Sequence, residues 1–440
     1  MELVTFAQKV IKKALQSVHP DQAVKDAIYL NQNKLHISDK EIDLKDHDGI
    51  YVIGMGKAGA GMAKAVEDIL LPHLIGGFVI TKYEHTVPTQ KIEIAEAAHP
   101  VSDENTLVHT RTMLDKISGL SDKTLILTLI SGGGSALLEL LPDQISLQDY
   151  QKVVKELLAC GADITEINTI RKHLSRVKGG QLLRQIYPRT NISLIISDVI
   201  GDPVDFIASG PTAPDSTTFR GAWNIIQSYQ LTDKLPEKVI EHLKKGVNGD
   251  IPDTPKASDV IFDRNHNIII ANNLKALKVM EKEVREAGFK PVVLGNMIEG
   301  EAREVGIVLA GIAKSIEVSQ YPESPPAAVI FGGETTVVLK GDGKGGRNQE
   351  LAVSFLNHLT GFSRDFVMVA CGTDGTDGPT DAAGGIVQHE HFSLIKERKL
   401  NPDDYLNNNN CYYFLKEING LLMTGPTQTN VMDINLLLIQ

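Results

Sequence analysis

Two glycine turns carry the cations of this sequence that could do chemistry. The first is Gly54-Met55-Gly56-Lys57-Ala58-Gly59, and the second is the run "GDGKGGRNQE", Gly341 to Glu350. A glycine-rich turn that feeds a helix leaves several backbone N–H groups unbonded, and their aligned dipoles attract anions. A lysine in such a turn adds a point charge. An arginine adds a planar fork that grips a carboxylate or phosphate with two bonds. Lys57 and Arg347 are therefore candidates to hold an anionic group, while Lys344 stands between phosphate contact and solvent. The bland alternatives are a tight turn in the first case and a flexible hairpin with a solvated arginine in the second. Acidic loops supply the complementary chemistry. Asp198 and Asp202 lie in "SDVIGDPVDFIASGPTAPD", and Asp374 and Asp377 in "CGTDGTDGPTDAAGG". Mg²⁺ is commonly held by one or two such carboxylates, with water and phosphate completing the shell. Turn chemistry alone also explains aspartates beside Gly and Pro.

The elements that must position these groups are legible around them. "GIYVIGMGKAGAGMAKAVEDIL" reads as a strand (Ile50–Ile53), the first turn, and a helix to about Leu70; "GGFVIT" (Gly76–Thr81) is the next strand. This is the spacing G-x-G-x-x-G in a strand–turn–helix setting. A dinucleotide site wants an acidic residue at the end of the second strand, and Thr81-Lys82 stands there instead. A phosphate or carboxylate site carrying a lysine, a dinucleotide site and a structural turn all stay open. "KTLILTLISGGGSALLEL" repeats the plan, its buried strand ending in Ser131-Gly132-Gly133-Gly134-Ser135. Consecutive glycines let backbone amides converge on an oxyanion. The loop is neither a Walker A loop nor a G-x-S-x-G elbow, and tight packing on a neighbouring strand is the alternative. From Ile164 to Tyr187 a helical stripe runs until Gly179-Gly180 breaks or bends it. Arg171, Lys172, His173, Arg176 and Lys178 cluster there, and a solvated helix face is the default for such a run. "FGGETT" places Glu334 after two glycines, Thr335–Lys340 reads as a strand leading into the second turn, and Leu351–Leu359 as the helix leading out. "NNNN" (Asn407–Asn410) reads as an exposed loop.

A chain of 440 residues exceeds one ordinary core, so two domains are expected. Hydrophobic content of 42% and charged content of 22% describe a globular protein, and strand–helix alternation argues for α/β architecture with mainly parallel sheets. "GVNGDIPDTPKASD" (Gly246–Asp259) is the candidate linker. It divides the chain into 1–248 and 260–440, with the first helices free to pack on the other domain. Strands of the second set are expected near Asn267–Ala271, Pro291–Leu294, Ala327–Phe331, Thr335–Lys340 and Phe366–Cys371. The N-terminus reads as an amphipathic helix with Leu3, Phe6, Val10 and Leu15 on one side. It lacks a signal-peptide h-region, and no apolar run reaches the ~20 residues of a membrane span. Three widely spaced cysteines fit reduced thiols in the cytoplasm. The formal charge of −11 argues against a nucleic-acid partner.

Taken together the chain resembles the class II glycerate kinases, also catalogued as hydroxypyruvate-reductase-like, whose C-terminal module is called MOFRL. The matching segments are "GMGKAGAGMAKA", "SGGGSALLELP", "INTIRKHLSRVKGGQL", "SDVIGDPVDFIASGPTAPD", "GGETTVVLKGDGKGGRNQELAV", "CGTDGTDGPTDAAGG" and "GPTQTNVMDI". They span nearly the whole chain in order, and Gln428 is a departure where a small residue is expected. The resemblance implies two α/β/α domains, the first Rossmann-like with a mainly parallel sheet and the second with a mixed sheet, with the active site in the cleft between them. It implies phosphorylation of D-glycerate by ATP at the 2-hydroxyl, with Mg²⁺, and Lys57 and Arg347 as the active-site cations. Gly54, Gly56, Ser131, Gly132, Gly133, Gly134, Ser135, Arg171, Lys178, Glu334 and Asn348 are the candidates for holding substrate or nucleotide. Asp198, Asp202, Asp374 and Asp377 are the candidates for holding metal or for accepting the hydroxyl proton. A homodimer is open. An NAD(P)H-dependent hydroxypyruvate reductase is the rival reading, favoured by the first glycine turn. The missing acid after the second strand, and the absence of a dehydrogenase His–acid pair, count against it.

Overall fold

The computed structural model describes residues 2–440, which divide into two compact units. One unit is Pro20–Ser197 with Asp202–Ile270. The other takes the N-terminal segment through His19, Asp198–Gly201 and Ala271–Gln440.

The first unit is built on a six-stranded sheet. Its strands stand in the order Ile92–Ala97, Leu74–Lys82, Ile50–Met55, Leu125–Ile130, Asn191–Ile196, Asn265–Ala271. The pairings among the first five are all parallel. In chain order this is 3-2-1-4-5-6, the dinucleotide-fold arrangement, and the order reverses between Ile50–Met55 and Leu125–Ile130. Leu125–Ile130 and Asn191–Ile196 are buried at every residue, as a sheet covered on both faces requires. Gly246–Asp259 is not a boundary. The Phe219 amide donates to Asp253 and the Thr254 hydroxyl to Asp215, which ties this segment into the unit. Asn265–Ala271, expected in the second sheet, completes the first. A Gly/Pro/Asp-rich run signals turns, and turns occur within units as well as between them. The helical run from Ile164 stops at His173, earlier than Gly179-Gly180, and resumes at Gln181–Ile186.

The second unit carries a mixed sheet in the order Lys290–Ile298, Ala327–Gly333, Asp433–Ile439, Phe366–Gly372, Gly384–Gln388, Leu421–Leu422. The first pair is parallel and the rest antiparallel. The terminal apolar run Asp433–Ile439 lies buried at its centre. The N-terminal helix Leu3–Ser17 packs on this unit against Asn273–Glu286, burying Phe6, Ala7, Val10, Ile11 and Ala14. Thr335–Lys340 forms no strand. Among the described residues its only ladder contact is a bridge from Thr336 to Glu301, while Val338 and Lys340 give their backbone groups to the Asn409 side chain. Among the described residues no helix is long and apolar enough to cross a membrane.

Candidate active site

At the switch point of the parallel sheet, the chain leaves Ile50–Met55 through Gly56 at φ 122°. A Cβ at Gly56 would lie 2.2 Å from the Ser131 hydroxyl oxygen, so both conformation and space demand glycine. Gly54 lies within the strand and presses on Leu129, a packing role. Hydrogen bonds stitch the two loops together. The Lys57 amide donates to the Gly132 carbonyl (2.9 Å), the Ser131 amide to Met55 (3.1 Å), and the Ala58 amide to Ser131 Oγ (3.1 Å). The helix Gly59–Leu70 then starts on Ala58 without a side-chain cap. Among the described residues, no hydrogen bond engages the amides of Gly132 and Gly133, and the Lys57 ammonium has neither a hydrogen bond nor an ion pair. The result is a patch of open donors with an uncommitted cation at its edge.

Three further features converge on this loop. Gly133 turns at φ 83°, and a Cβ there would meet His99 Cδ2 at 2.9 Å and Lys57 Cγ at 3.2 Å. His99 thus shares one surface with the lysine and the glycine loop. Burial first, then the charges of Lys57 and Lys82, push its imidazole down to about 4, which leaves it neutral at neutral pH. Second, Ser135 Oγ lies 2.7 Å from Ser209 Oγ, which donates to Asn168 (3.2 Å). Third, Ala208 and Ser209 both adopt left-handed backbone, at φ 52° and 60°. Two successive non-glycine residues in that region are a strained feature of the kind that gathers at functional sites. Sequence reasoning passed over His99, Asn168 and Ser209. The available signal for His99 was a His-Pro pair just past the third strand of a sheet of this type.

Apart from Arg176, whose side chain is 50% exposed beside Asp143, the basic run beyond Ile164 is not a solvated face. Arg171 Nη2 donates to the Ser135 carbonyl (2.8 Å) and Nε to the Tyr150 hydroxyl (2.9 Å), so the guanidinium braces the glycine loop. Lys178 and Glu139 form a buried pair at 2.9 Å with 1% and 0% of their side chains exposed, and Lys178 also donates to the Leu138 carbonyl. Burial pushes the Lys178 ammonium down to about 8. Such a pair offers no face to a ligand, and the structure does not bring Lys178 to the open donors. Lys172 is likewise buried against Asp215, and His173 against Asp253.

The second glycine turn is rigid and already filled. Asn409 Oδ1 accepts from the amides of Lys340 (2.7 Å) and Gly341 (3.0 Å), and Asn410 Oδ1 from Lys344 (3.0 Å). The asparagine run expected to be an exposed loop is instead the clamp of this turn, with Asn409 only 5% exposed. Lys344 lies over the Tyr412 ring, 4.4 Å from its centroid. The helix Arg347–His358 follows, and its N-terminal amides hold the chain's own anion. Asp377 Oδ1 accepts from Asn348 (3.1 Å) and Oδ2 from Gln349 (2.8 Å). Burial pushes Asp377 up to about 6 against the pull of those amides. Arg347 is occupied too. Nε and Nη2 meet Asp433 at 2.6 and 3.0 Å, and Nη1 meets Glu334 at 2.7 Å. Asn348 Nδ2 donates to both Asp433 (3.0 Å) and Asp377 (3.3 Å). Asp433 was missed in the sequence, where its one signal is a lone acid opening an apolar terminal strand.

The four acidic candidates for metal do not assemble. Among the described residues there is no group of three or more His, Cys, Asp or Glu disposed to hold an ion. Asp377 has both oxygens bonded to amides. Asp374 is half-exposed and accepts the Thr376 amide on Oδ1 (3.0 Å), and among the described residues its Oδ2 takes no hydrogen bond. Asp198 follows the strand Asn191–Ile196, and Asp202 sits in left-handed backbone at φ 56° after Gly201.

Two family models match the chain. One is described as a domain of unknown function, DUF4147, over residues 6–244; the other is the MOFRL family, over residues 327–433. The chain is 39% identical over 435 residues to a protein named glycerate 2-kinase from Pyrococcus horikoshii, covering 99% of this chain and 97% of that one. It is 40% identical over 434 residues to one named D-glycerate 2-kinase from Thermotoga maritima, covering 98% and 97%. A crystal structure of a Thermotoga maritima glycerate kinase matches with a TM-score of 0.89 at 39% identity over 99% of both chains.

Proposed function

Since this chain belongs to the glycerate kinase family, we propose that it transfers the γ-phosphoryl group of ATP to the 2-hydroxyl of D-glycerate, giving 2-phosphoglycerate and ADP. The observation that carries this reading is the free Lys57 ammonium beside the unbonded amides of Gly132 and Gly133 at the sheet's switch point. Ligands of open α/β sheets bind at that point, and phosphoryl transfer asks mainly for alignment and for positive charge on the transferring oxygens. Lys57 and the loop amides supply both. Arg347 is the second cation of this reading. Asp433 keeps hold of one edge of its fork, and an incoming carboxylate or phosphate takes the place of Glu334, whose side chain remains 42% exposed.

Mg²⁺ belongs to the same proposal as the ion that neutralises the phosphates of ATP. Of the two acids named for it in the mixed-sheet unit, Asp374 fits because one carboxylate oxygen is open; Asp377, capped by two amides, does not fit. The three cysteines are free thiols, which suits a reducing cytoplasmic setting.

The test is ADP release from ATP, Mg²⁺ and D-glycerate, with enolase added and phosphoglycerate mutase left out. Only the 2-phospho product feeds enolase directly, so phosphoenolpyruvate should appear. ADP release without phosphoenolpyruvate moves the phosphoryl group to the 3-hydroxyl. No ADP release at all overturns the reading. NADH with hydroxypyruvate serves as the control, and its absorbance should not change.

A further inference from the structure

We infer that His99 accepts the hydroxyl proton of the phosphoryl acceptor, a role that rests on the kinase reading above. Its ring edge lies against Gly133, with Nε2 3.0 Å and Cδ2 2.9 Å from the place a Cβ would fill there. Lys57 Cγ closes the same spot at 3.2 Å. The imidazole therefore stands beside the open amides and the free ammonium where the phosphoryl group is to be held.

The backbone around His99 is fixed on both sides. The Tyr83 amide donates to the Ala97 carbonyl (3.3 Å), and Ser102 Oγ to the Ala136 carbonyl (2.7 Å). Asp103 caps the helix Glu104–Ser118 and accepts the Tyr83 hydroxyl at 2.6 Å. The ring itself makes no hydrogen bond among the described residues, although it is partly buried. A partly buried ring with no partner, at a site of free donors, is open to a ligand.

Its chemistry fits the task. The charged groups that face it are Lys57 from the glycine turn and Lys82 from the end of Leu74–Lys82, and with burial they keep the ring neutral. A neutral ring can take a proton. Anionic phosphoryl oxygens arriving at Lys57 cancel part of the charge that suppresses it, so its basicity rises once substrate is in place. The buried carboxylates Glu67, Glu139 and Asp215 of the same unit are committed, Glu67 to the amides of Gln90, Lys91 and Ile92, Glu139 to Lys178 and Asp215 to Lys172. In the step itself the acceptor oxygen forms the new O–P bond. The bond from the γ-phosphorus to the bridging oxygen breaks with its electron pair leaving on ADP. The acceptor's proton moves to a His99 ring nitrogen, which returns it to solvent as products depart.

The test has two arms. In the first, the imidazole signals are titrated by NMR, with His99 assigned from H99Q. Its midpoint should lie near 4 and rise in K57M, as loss of a like charge requires. A midpoint in the ordinary range near 6.5 that K57M leaves in place overturns the proposal. In the second arm, H99Q and H99N should lower kcat by about 10²-fold or more and flatten the acid limb of kcat/KM. KM for ATP should change little, and added imidazole should partly restore H99A, which a packing role would not allow. Trp223 fluorescence melts identify any variant that fails to fold, and the remaining variants carry the decision. Wild-type kinase activity with near-normal H99Q turnover overturns the proposal and leaves the kinase reading intact. An inactive wild type removes the kinase reading, and the role of His99 with it, while the NMR arm still decides whether the two side chains are coupled.

Discussion

Replacing Arg347 by methionine should loosen the mixed-sheet unit, because the guanidinium is the counter-ion of a buried carboxylate. Asp433 keeps only 4% of its side chain exposed and takes two charge-assisted bonds from Arg347, at 2.6 and 3.0 Å. In R347M that carboxylate retains one neutral donor, Asn348 Nδ2. Stranding a buried charge in this way costs about 3–5 kcal/mol. The Glu334 contact involves a side chain 42% exposed and adds less than about 1 kcal/mol. Adding D433N removes the stranded charge, so the double variant should recover all but about 1–2 kcal/mol. The chain has one tryptophan, Trp223, and it lies in the other unit, so its fluorescence does not report this loss. Hydrogen exchange of peptides covering Arg347–His358 and Asp433–Ile439 does. At about 1.4 kcal/mol per decade, protection in R347M should fall by roughly two to three and a half orders of magnitude and return to within about 30-fold of wild type in R347M/D433N. Turnover should stay at least about 100-fold down in the double variant, since the cation is still missing. Additive single effects would show that the two residues are not a coupled pair. Recovered turnover in the double variant would show that Arg347 only builds the unit.

Three other outcomes follow from the geometry. K57M should lower kcat by about 10²–10³-fold while leaving the Trp223 melt in place, because among the described residues the Lys57 ammonium has no partner; an intact kcat removes Lys57 from the reaction. G133A should destabilise the parallel-sheet unit by roughly 1–2 kcal/mol, from its φ of 83° alone, and slow turnover as His99 is displaced; a melt and a rate equal to wild type would refute that account of the loop. Asp377 is pushed up to about 6 from 3.8, so the folded state binds its proton more tightly than the unfolded state. Stability from this group is therefore gained as pH falls from about 6 toward 4, up to about 3 kcal/mol, and D377N should abolish that gain in the exchange of Arg347–His358 after correction for intrinsic rates.

Much of the fold was legible because strand and turn signals are local. Leu125–Ile130 is an apolar run interrupted at Thr128 and reads as a covered strand, and the G-x-G-x-x-G spacing fixed the strand, turn and helix around Lys57. What failed depended on partners far away in sequence. Thr335–Lys340 has strand-forming residues, but Asn409 takes the backbone groups a ladder would use. Lys178 reads as one more surface cation until Glu139 is placed beneath it. His99 carried no helical or strand periodicity to mark it, and its meaning comes from Gly133 and Lys57 lying against it.

The two glycine turns look alike in sequence and end with opposite electrostatics, and the difference lies in the carboxylates that reach the second one. A helix start attracts any anion, including one carried by the same chain. At Arg347–His358 that anion is Asp377, and Arg347 is satisfied by Asp433 and Glu334. A ligand arriving there has to exchange with Glu334, so affinity at this turn is reduced by whatever the exposed pair contributes, about 0.5–1 kcal/mol. At Gly59–Leu70 no carboxylate among the described residues caps the helix start; Ser131 supplies a neutral oxygen to one amide and leaves the rest. An anion binds there without displacing a charged side chain.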